Sequence, residues 1–256
     1  MSQDRKKRAG TKRRRAAALP DWIAGLFGYR ELLRMGHLQR KDDLNLGLGW
    51  LYYALARILR PAQVVVIGSW RGFVPMVFAR ALQDNAESGE VLFIDPSLTD
   101  GFWKNRKAVA RHFRSYGITN IRHLLMTTQE FVQSREYRAL REIGIVFIDG
   151  YHTHEQAKFD YLAFAGLLAA DGLILFHDTK EFDVSHRYGR KHAYVRTVRN
   201  YMEELQREPQ LQVLDLPFGG GVALVRRVPA RLASPPTPRR KPRRPASRKP
   251  GRRIRK

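Results

Sequence analysis

Between residues 63 and 205 the chain alternates short, β-branched apolar runs with stretches whose apolar residues recur at helical spacing. QVVVI at 63–67, VLFI at 91–94, a run near 121–126, IGIVFI at 143–148 and LILF at 173–176 read as buried strands. After the first, Val74, Val77, Phe78, Ala81 and Leu82 line one helix face, with Pro75 in the first turn, where a missing N–H is tolerated. A second helix is expected over about 104–116. Thr153 and Gln156 form a capping box ahead of a helix whose apolar face is Tyr161, Phe164, Leu167 and Leu168. Val195, Val198, Met202 and Leu205 mark another. Parallel strands need crossovers, so five such units argue a parallel sheet with helices on both faces. The last two strand-like runs, 211–216 and 221–227, are joined only by Pro217-Phe218-Gly219-Gly220. That connection is too short for a crossover helix and predicts an antiparallel hairpin at the sheet edge.

The expected fold class is therefore α/β: a Rossmann-like, doubly wound, mostly parallel seven-stranded sheet ending in a hairpin. Helical patterns at about 23–35 and 46–59 are expected to cover the entrance to any site on it. The division expected is a basic tail over 1–19, a helical lead-in over 20–60, the main domain over 61–229 and a Pro/Arg/Lys-rich tail over 230–256.

The formal net charge of +23 belongs mostly to those tails. Residues 1–16 carry a net +7 and residues 234–256 a net +11, which leaves +5 for the 217 residues between. The C-terminal run SPPTPRRKPRRPASRKPGRRIRK has almost nothing to bury and is expected to stay extended and solvated. Such ends attract polyanions, nucleic acid among them, with a steep salt dependence and little sequence information. The absence of cysteine excludes disulfides, thiolate metal sites, iron–sulfur clusters and a cysteine nucleophile. No apolar run qualifies as a membrane span, because 161–176 is split by Asp171-Gly172 and 44–59 by Arg57. With no secretory signal pattern either, a cytoplasmic protein is expected.

In open parallel sheets, ligands bind beyond the carboxyl ends of the strands. Here those ends carry Gly68–Gly72, Asp95, Thr127-Thr128, Asp149 and His177-Asp178. A glycine turn leading into a helix lets backbone N–H groups approach a carboxylate or phosphate. A carboxylate ending the second strand can accept hydrogen bonds from ribose hydroxyls. Together they suggest a nucleoside-containing cofactor. The dinucleotide fingerprint G-x-G-x-x-G is not met, since the turn holds only Gly68 and Gly72.

The order strand–GSWRG–helix, strand–Asp95, strand–Asp149 and terminal hairpin resembles the class I S-adenosylmethionine-dependent methyltransferases. The segment FIDGYHTHEQAKFDYLAF…DGLILFHDT is similar to the macrocin O-methyltransferase and cephalosporin-hydroxylase-like branch, related to the catechol-type metal-dependent O-methyltransferases. The resemblance covers roughly residues 45–228. It implies that Gly68, Ser69, Trp70 and Gly72 wrap the methionine part of S-adenosyl-L-methionine, that Asp95 holds the ribose and that Thr128 lies near the adenine. Val66 stands where the family usually has an acid, and Trp70 where it has a glycine. Arg71 adds positive charge near a sulfonium, which is unfavourable unless its side chain points to a carboxylate or to solvent.

Asp149 and Asp178 are expected side by side, where two carboxylates repel unless a cation or proton neutralises them. A divalent metal (Mg or Mn) on Asp149, His177 and Asp178 would bind a substrate hydroxyl and lower its pKa. Without an ion, His177 and Asp178 hydrogen-bond loop backbone. His152, three residues after Asp149, falls where the catechol-type branch places its base; its alternative is a helix cap. Asp160 is expected in a structural ion pair. His37, His112, His123, His186 and His192 are expected at the surface or in packing, and Trp50, Tyr52 and Tyr53 in the core. The loop 180–190 is expected to form part of the substrate wall.

The function expected is O-methylation of a small hydroxylated acceptor, metal-assisted or not, by a chain that is free to form a homo-oligomer. Two alternatives stay open. One is a nucleic-acid methyltransferase recruited by the basic tails. The other is a non-catalytic polyanion-binding protein on a degenerate fold.

Overall fold

The computed structural model describes residues 17–33, 36–85, 88–180 and 182–228. The basic runs at 1–16 and 234–256, expected as solvated tails, lie outside the described residues. Eight α-helices are described: α1 (Leu19–Phe27), α2 (Gly49–Leu59), α3 (Phe73–Asp84), α4 (Arg106–Ser115), α5 (Thr128–Phe131), α6 (Arg135–Ala139), α7 (His154–Ala165) and α8 (Val198–Leu205). The strands are β1 (Gln63–Ile67), β2 (Glu90–Ile94), β3 (Ile121–Leu124), β4 (Ile143–Ile148), β5 (Leu168–His177), β6 (Val184–Ser185), β7 (Tyr194–Val195), β8 (Leu211–Leu216) and β9 (Val222–Arg227).

Seven of these form one sheet in the order β3-β2-β1-β4-β5-β9-β8. The first five run parallel; β9 pairs antiparallel to both β5 and β8. This is the doubly wound sheet and terminal hairpin expected, with the hairpin's second strand lying inside its first. Each central strand feeds two cores because successive side chains point to opposite faces. Val64 and Val66 of β1, with Ile145 and Phe147 of β4, join the core under α1, α2, α3 and α4. Val65, Ile67, Val146 and Ile148 join the other, under α5, α7 and α8. Burying both faces explains why these strands read as continuous apolar runs, each side chain contributing about 1.5–3 kcal/mol. Among the described residues no helix is long and apolar enough to cross a membrane.

Several elements differ from expectation. The first helix begins at Leu19, with Pro20 in its first turn, and stops at Gly28; a 3-10 turn (Arg30–Leu33) follows where one helix over 23–35 was expected. β5 starts at Leu168, so Asp171-Gly172 lies inside the strand, at a break in its register with β4. A Cβ on Gly172 would sit 2.7 Å from the Ile143 carbonyl oxygen, which is why glycine stands at that crossing. Residues 128–139, without an expected element, form the short helices α5 and α6, capped by Thr127 and Ser134. Val195, expected on a helix, pairs with Val184 between β6 and β7 instead.

Candidate active site

The chain reverses direction of winding at β1, whose neighbours β2 and β4 connect to opposite sides, and a crevice opens at the carboxyl ends there. A cleft of about 980 Å³, open to solvent, occupies it, and its lining includes Gly68, Ser69, Trp70, Asp95, Thr128 and Asp149. The sequence therefore named six residues of one pocket. Gly72 stands one step back, capping α3 at φ 85°. A Cβ there would meet the rings of Phe113 and Trp103 at 2.9 and 3.1 Å, so Gly72 lets α4 close over the turn. Gly68 is needed more directly: at φ +73° its added Cβ would lie 2.3 Å from the Asp149 carbonyl oxygen.

Asp95 accepts hydrogen bonds from the backbone N–H of Ser97 (2.7 Å) and of Ser69 (3.3 Å). Burial pushes its carboxyl up to about 6, against the pull of those two donors. The Arg71 guanidinium pairs with Asp100 at 2.8 Å, donates to the Trp70 carbonyl at 3.2 Å and lies between the Trp70 and Phe102 rings. Its charge is thus met by a carboxylate, which answers the objection to an arginine beside a sulfonium. Trp70 donates its indole N–H to Glu31 at 3.3 Å. Two histidines expected in surface or packing roles support this rim from behind. His112 Nε2–H donates to the Arg71 carbonyl (2.9 Å), and His123 Nε2–H to the Asp95 carbonyl (3.1 Å).

Beyond the cleft floor, Asp149, His152, His177 and Asp178 gather into one buried group. Asp178 reaches it from a left-handed backbone conformation, φ 54°, at the end of β5. His177 Nδ1 lies 3.1 Å from Asp149 and 3.0 Å from Asp178, between the two carboxylates. Burial alone would lower His177; the Asp149 charge and the hydrogen bonds to both acids overcome it and hold the imidazole up at about 10. Burial likewise opposes ionisation of Asp149 and Asp178, but His177 keeps both below the usual carboxylate range. The repulsion between paired acids is thus relieved by an imidazolium from the chain itself.

His152 is different. Burial lowers its pKa, Asp178 and Asp149 only partly restore it, and Arg187 and His177 push it further down. Its Nε2 is buried without a hydrogen-bond partner among the described residues, 3.5 Å from Asp178 and 3.9 Å from Asp149. The helix-cap alternative for His152 does not describe this atom, since Thr153 caps α7.

Asp149, His152 and Asp178 each offer one ligand atom within 4.8 Å of the others, the only such group among the described residues. The set expected for a metal had His177 in place of His152. His177 instead spends Nδ1 on the two acids. A donor set of one imidazole nitrogen and two carboxylates fits manganese, iron or zinc better than magnesium.

Sequence reasoning missed His37 and Tyr52 as neighbours of this group. His37 is buried with its ring 4.5 Å from that of His177, and its Nδ1 meets the Tyr52 hydroxyl at 3.2 Å. Burial and the His177 charge lower His37 to about 3, so it is neutral beside the imidazolium.

Asp160 also departs from expectation. Among the described residues it forms no ion pair; Oδ1 accepts from Gln156 Nε2 at 2.9 Å, Oδ2 is buried without a hydrogen-bond partner there, and the residue borders the cleft. Gln156 therefore completes no reciprocal capping box with Thr153. Burial raises Asp160 to about 7, against Thr128 and Gln156. A carboxyl raised on folding stabilises the fold below its ordinary pKa near 4, and that contribution is lost as pH rises through about 7. Asp160→Asn is accordingly expected to gain several degrees in Tm over the parent chain between pH 5 and pH 8. Thermal melts across that range check it; a gap independent of pH would contradict the buried, neutral carboxyl.

Comparison with known proteins bears on this geometry. Residues 65–179 match a family described as a methyltransferase domain, a segment running from β1 to just past Asp178. An S-adenosylhomocysteine-bound methyltransferase from Podospora anserina superposes with a TM-score of 0.58 at 18% identity, over 84% of this chain and 91% of that one. A Geobacter sulfurreducens methyltransferase gives 0.54 at 20% identity, over 83% and 91%. The O-methyltransferase TomG of Streptomyces achromogenes, involved in tomaymycin synthesis and solved with S-adenosylmethionine, gives 0.55 at 14% identity, over 78% and 91%. No curated protein sequence matches the chain.

Proposed function

From the methyltransferase-domain match and the class I S-adenosylmethionine-dependent methyltransferase fold, we propose that the chain transfers the sulfonium methyl of S-adenosylmethionine to an oxygen of a small hydroxylated acceptor. One observation carries the reading: the cleft holding Gly68, Asp95 and Thr128 ends at Asp149, which belongs to the buried group containing His152 and Asp178. The turn at Gly68 and Ser69 would seat the amino-acid end of the cofactor, Asp95 would accept from the ribose hydroxyls, and Thr128 would border the adenine. His152 Nε2 would take the acceptor's hydroxyl proton. The oxygen lone pair then forms a bond to the methyl carbon, and the electrons of the broken carbon–sulfur bond return to sulfur, leaving a neutral thioether. His177, already cationic between Asp149 and Asp178, would hold those carboxylates in place without withdrawing the proton from His152.

A second reading rests on the 4.8 Å grouping of Asp149, His152 and Asp178. These three would hold a divalent ion, which when bound would supply Lewis-acid charge to the acceptor hydroxyl. Isothermal titration with S-adenosylmethionine, with and without manganese or magnesium, tests both. Micromolar binding that is indifferent to chelator supports His152 as a base; binding or turnover restored only by the ion supports the second. Silence under every condition would remove the transferase and leave a degenerate fold.

A further inference from the structure

A second cleft, shallower and more open to solvent, lies beside the first and shares Trp70, Thr99 and Arg187 with it. Among the described residues three of its lining side chains are basic (His186, Arg187 and Arg196) and none is acidic. Arg196 is committed: its guanidinium lies 3.4 Å from Asp178 and 3.4 Å from Asp183. That contact sets one wall of the second cleft directly against the buried Asp149–His152–Asp178 group. Arg187 is not committed. It is half-buried, and among the described residues its guanidinium makes no ion pair or hydrogen bond.

The backbone carrying Arg187 is nonetheless held. Its N–H donates to the buried Ser185 hydroxyl at 3.4 Å. Its neighbour Tyr188 stacks on Tyr151 with ring centroids 5.3 Å apart, and Tyr151 stacks on Tyr194 at 4.1 Å. Tyr194 sits in β7, paired with β6, and the N–H of Thr197 just beyond donates to the His152 carbonyl at 2.9 Å. So the loop that follows the catalytic group is tied back to it on both sides of Arg187. A half-buried arginine with no ion pair among the described residues, in a cleft whose described lining is basic, is a ready receptor for a carboxylate or phosphate, whose oxygens match its planar donors.

We propose that this second cleft binds the methyl acceptor through an anionic group, a carboxylate or a phosphate ester, seated on Arg187, with the hydroxyl to be methylated directed at His152. This rests on the methyl-transfer reading above for the identity of the ligand, but not for the binding of the anion. Arg187 falls outside the matched segment 65–179, so the acceptor class is written in this chain's own loop rather than in the shared domain.

The test uses the full chain in about 0.15 M salt, where long-range charge effects are partly screened. Benzoate, phenyl phosphate and benzyl alcohol are titrated by calorimetry, each with and without S-adenosylhomocysteine. One or both anions are expected to bind at least about tenfold more tightly than the alcohol, the size of a charge-assisted hydrogen bond. The tighter of the two then distinguishes a carboxylate from a phosphate acceptor. Arg187→Gln and Arg187→Met, the second keeping the packing of the side-chain stem, are expected to remove that preference and leave S-adenosylhomocysteine affinity within about twofold. Arg190→Gln, an exposed substitution with the same change in net charge, is expected to change neither.

Equal affinity for benzyl alcohol and both anions would overturn the proposal. So would an equal loss in Arg190→Gln, which would mark a general surface effect. Loss of S-adenosylhomocysteine affinity in Arg187→Gln would reassign the side chain to the cofactor. If the wild-type chain ignores S-adenosylhomocysteine but keeps an Arg187-dependent anion preference, methyl transfer fails and the anion site stands.

Discussion

His152→Ala is expected to lower methyl transfer by about two to four orders of magnitude, the usual worth of a positioned general base. The cofactor should bind within about twofold of the parent chain, because His152 lies in the buried group beyond Asp149 and outside the cleft lining. Its low pKa makes the substitution informative. A histidine kept neutral by burial can be removed without stranding a buried carboxylate, since His177 remains between Asp149 and Asp178. The same change at His177 would expose two facing acids to each other and confuse catalysis with stability. Single-turnover rates and calorimetry on the same preparation check the split. Equal loss of turnover and affinity would contradict the role given to His152.

Asp95→Asn is expected to act on the other side of the reaction, weakening S-adenosylhomocysteine by about tenfold to a hundredfold, the worth of one or more hydrogen bonds to a charged group. Asp95 Oδ1 and Oδ2 each already accept one backbone N–H, and each carboxylate oxygen retains capacity for a further donor. An amide offers one acceptor where the carboxylate offers two. The pH dependence follows with a definite sign. Ribose hydroxyls donate, so binding favours the ionised form, and the empty site loses that form as pH falls through about 6. Affinity in the parent chain should therefore be full above pH 6 and decline by up to about tenfold per unit below it, the limit for one linked proton. Asp149 and Asp100 face Asp95 and raise its pKa together with burial. Asp95→Asn should flatten the decline. A parent chain whose affinity is level from pH 7 to pH 5 would show that Asp95 does not hold the ribose.

Much of this site was legible because it lies where strands stop. Buried strands announce themselves by β-branched runs, and the polar residue ending each run is conspicuous: Asp95 after VLFI, Asp149 after IGIVFI, His177-Asp178 after LILF. What was not legible depends on contacts between distant segments. His37 belongs to no periodic run; it reaches His177 through a loop turned by Gly36 and Gly47, both at positive φ. Asp160 sits at an ordinary position of an amphipathic pattern, and nothing local shows that α7 lays that position beside the cleft with no cation paired to it among the described residues. The exchange of His177 for His152 in the candidate ligand group turns on which imidazole nitrogen points where, a matter of side-chain direction that spacing does not carry. Arg187 lies in a polar loop with no motif, and its placement depends on the Tyr188–Tyr151–Tyr194 stack, whose members lie up to 43 positions apart.

The inner position of β9 has a consequence for the order in which the molecule is made. The turn joining β8 to β9 is braced by the chain's earlier loops: Gly220 and Gly221 accept from the N–H groups of Lys180 and Thr179, and Gly219 packs against the Gly36 carbonyl. These are the residues flanking Asp178 and His37. A nascent chain emerges from its N-terminus, so until residue 227 is free of the ribosome the β5 edge lacks its partner and Asp178 lacks its brace. The candidate site is consequently completed only with the last strand pair, and an unfinished chain presents an open strand edge with an incomplete pocket beside it.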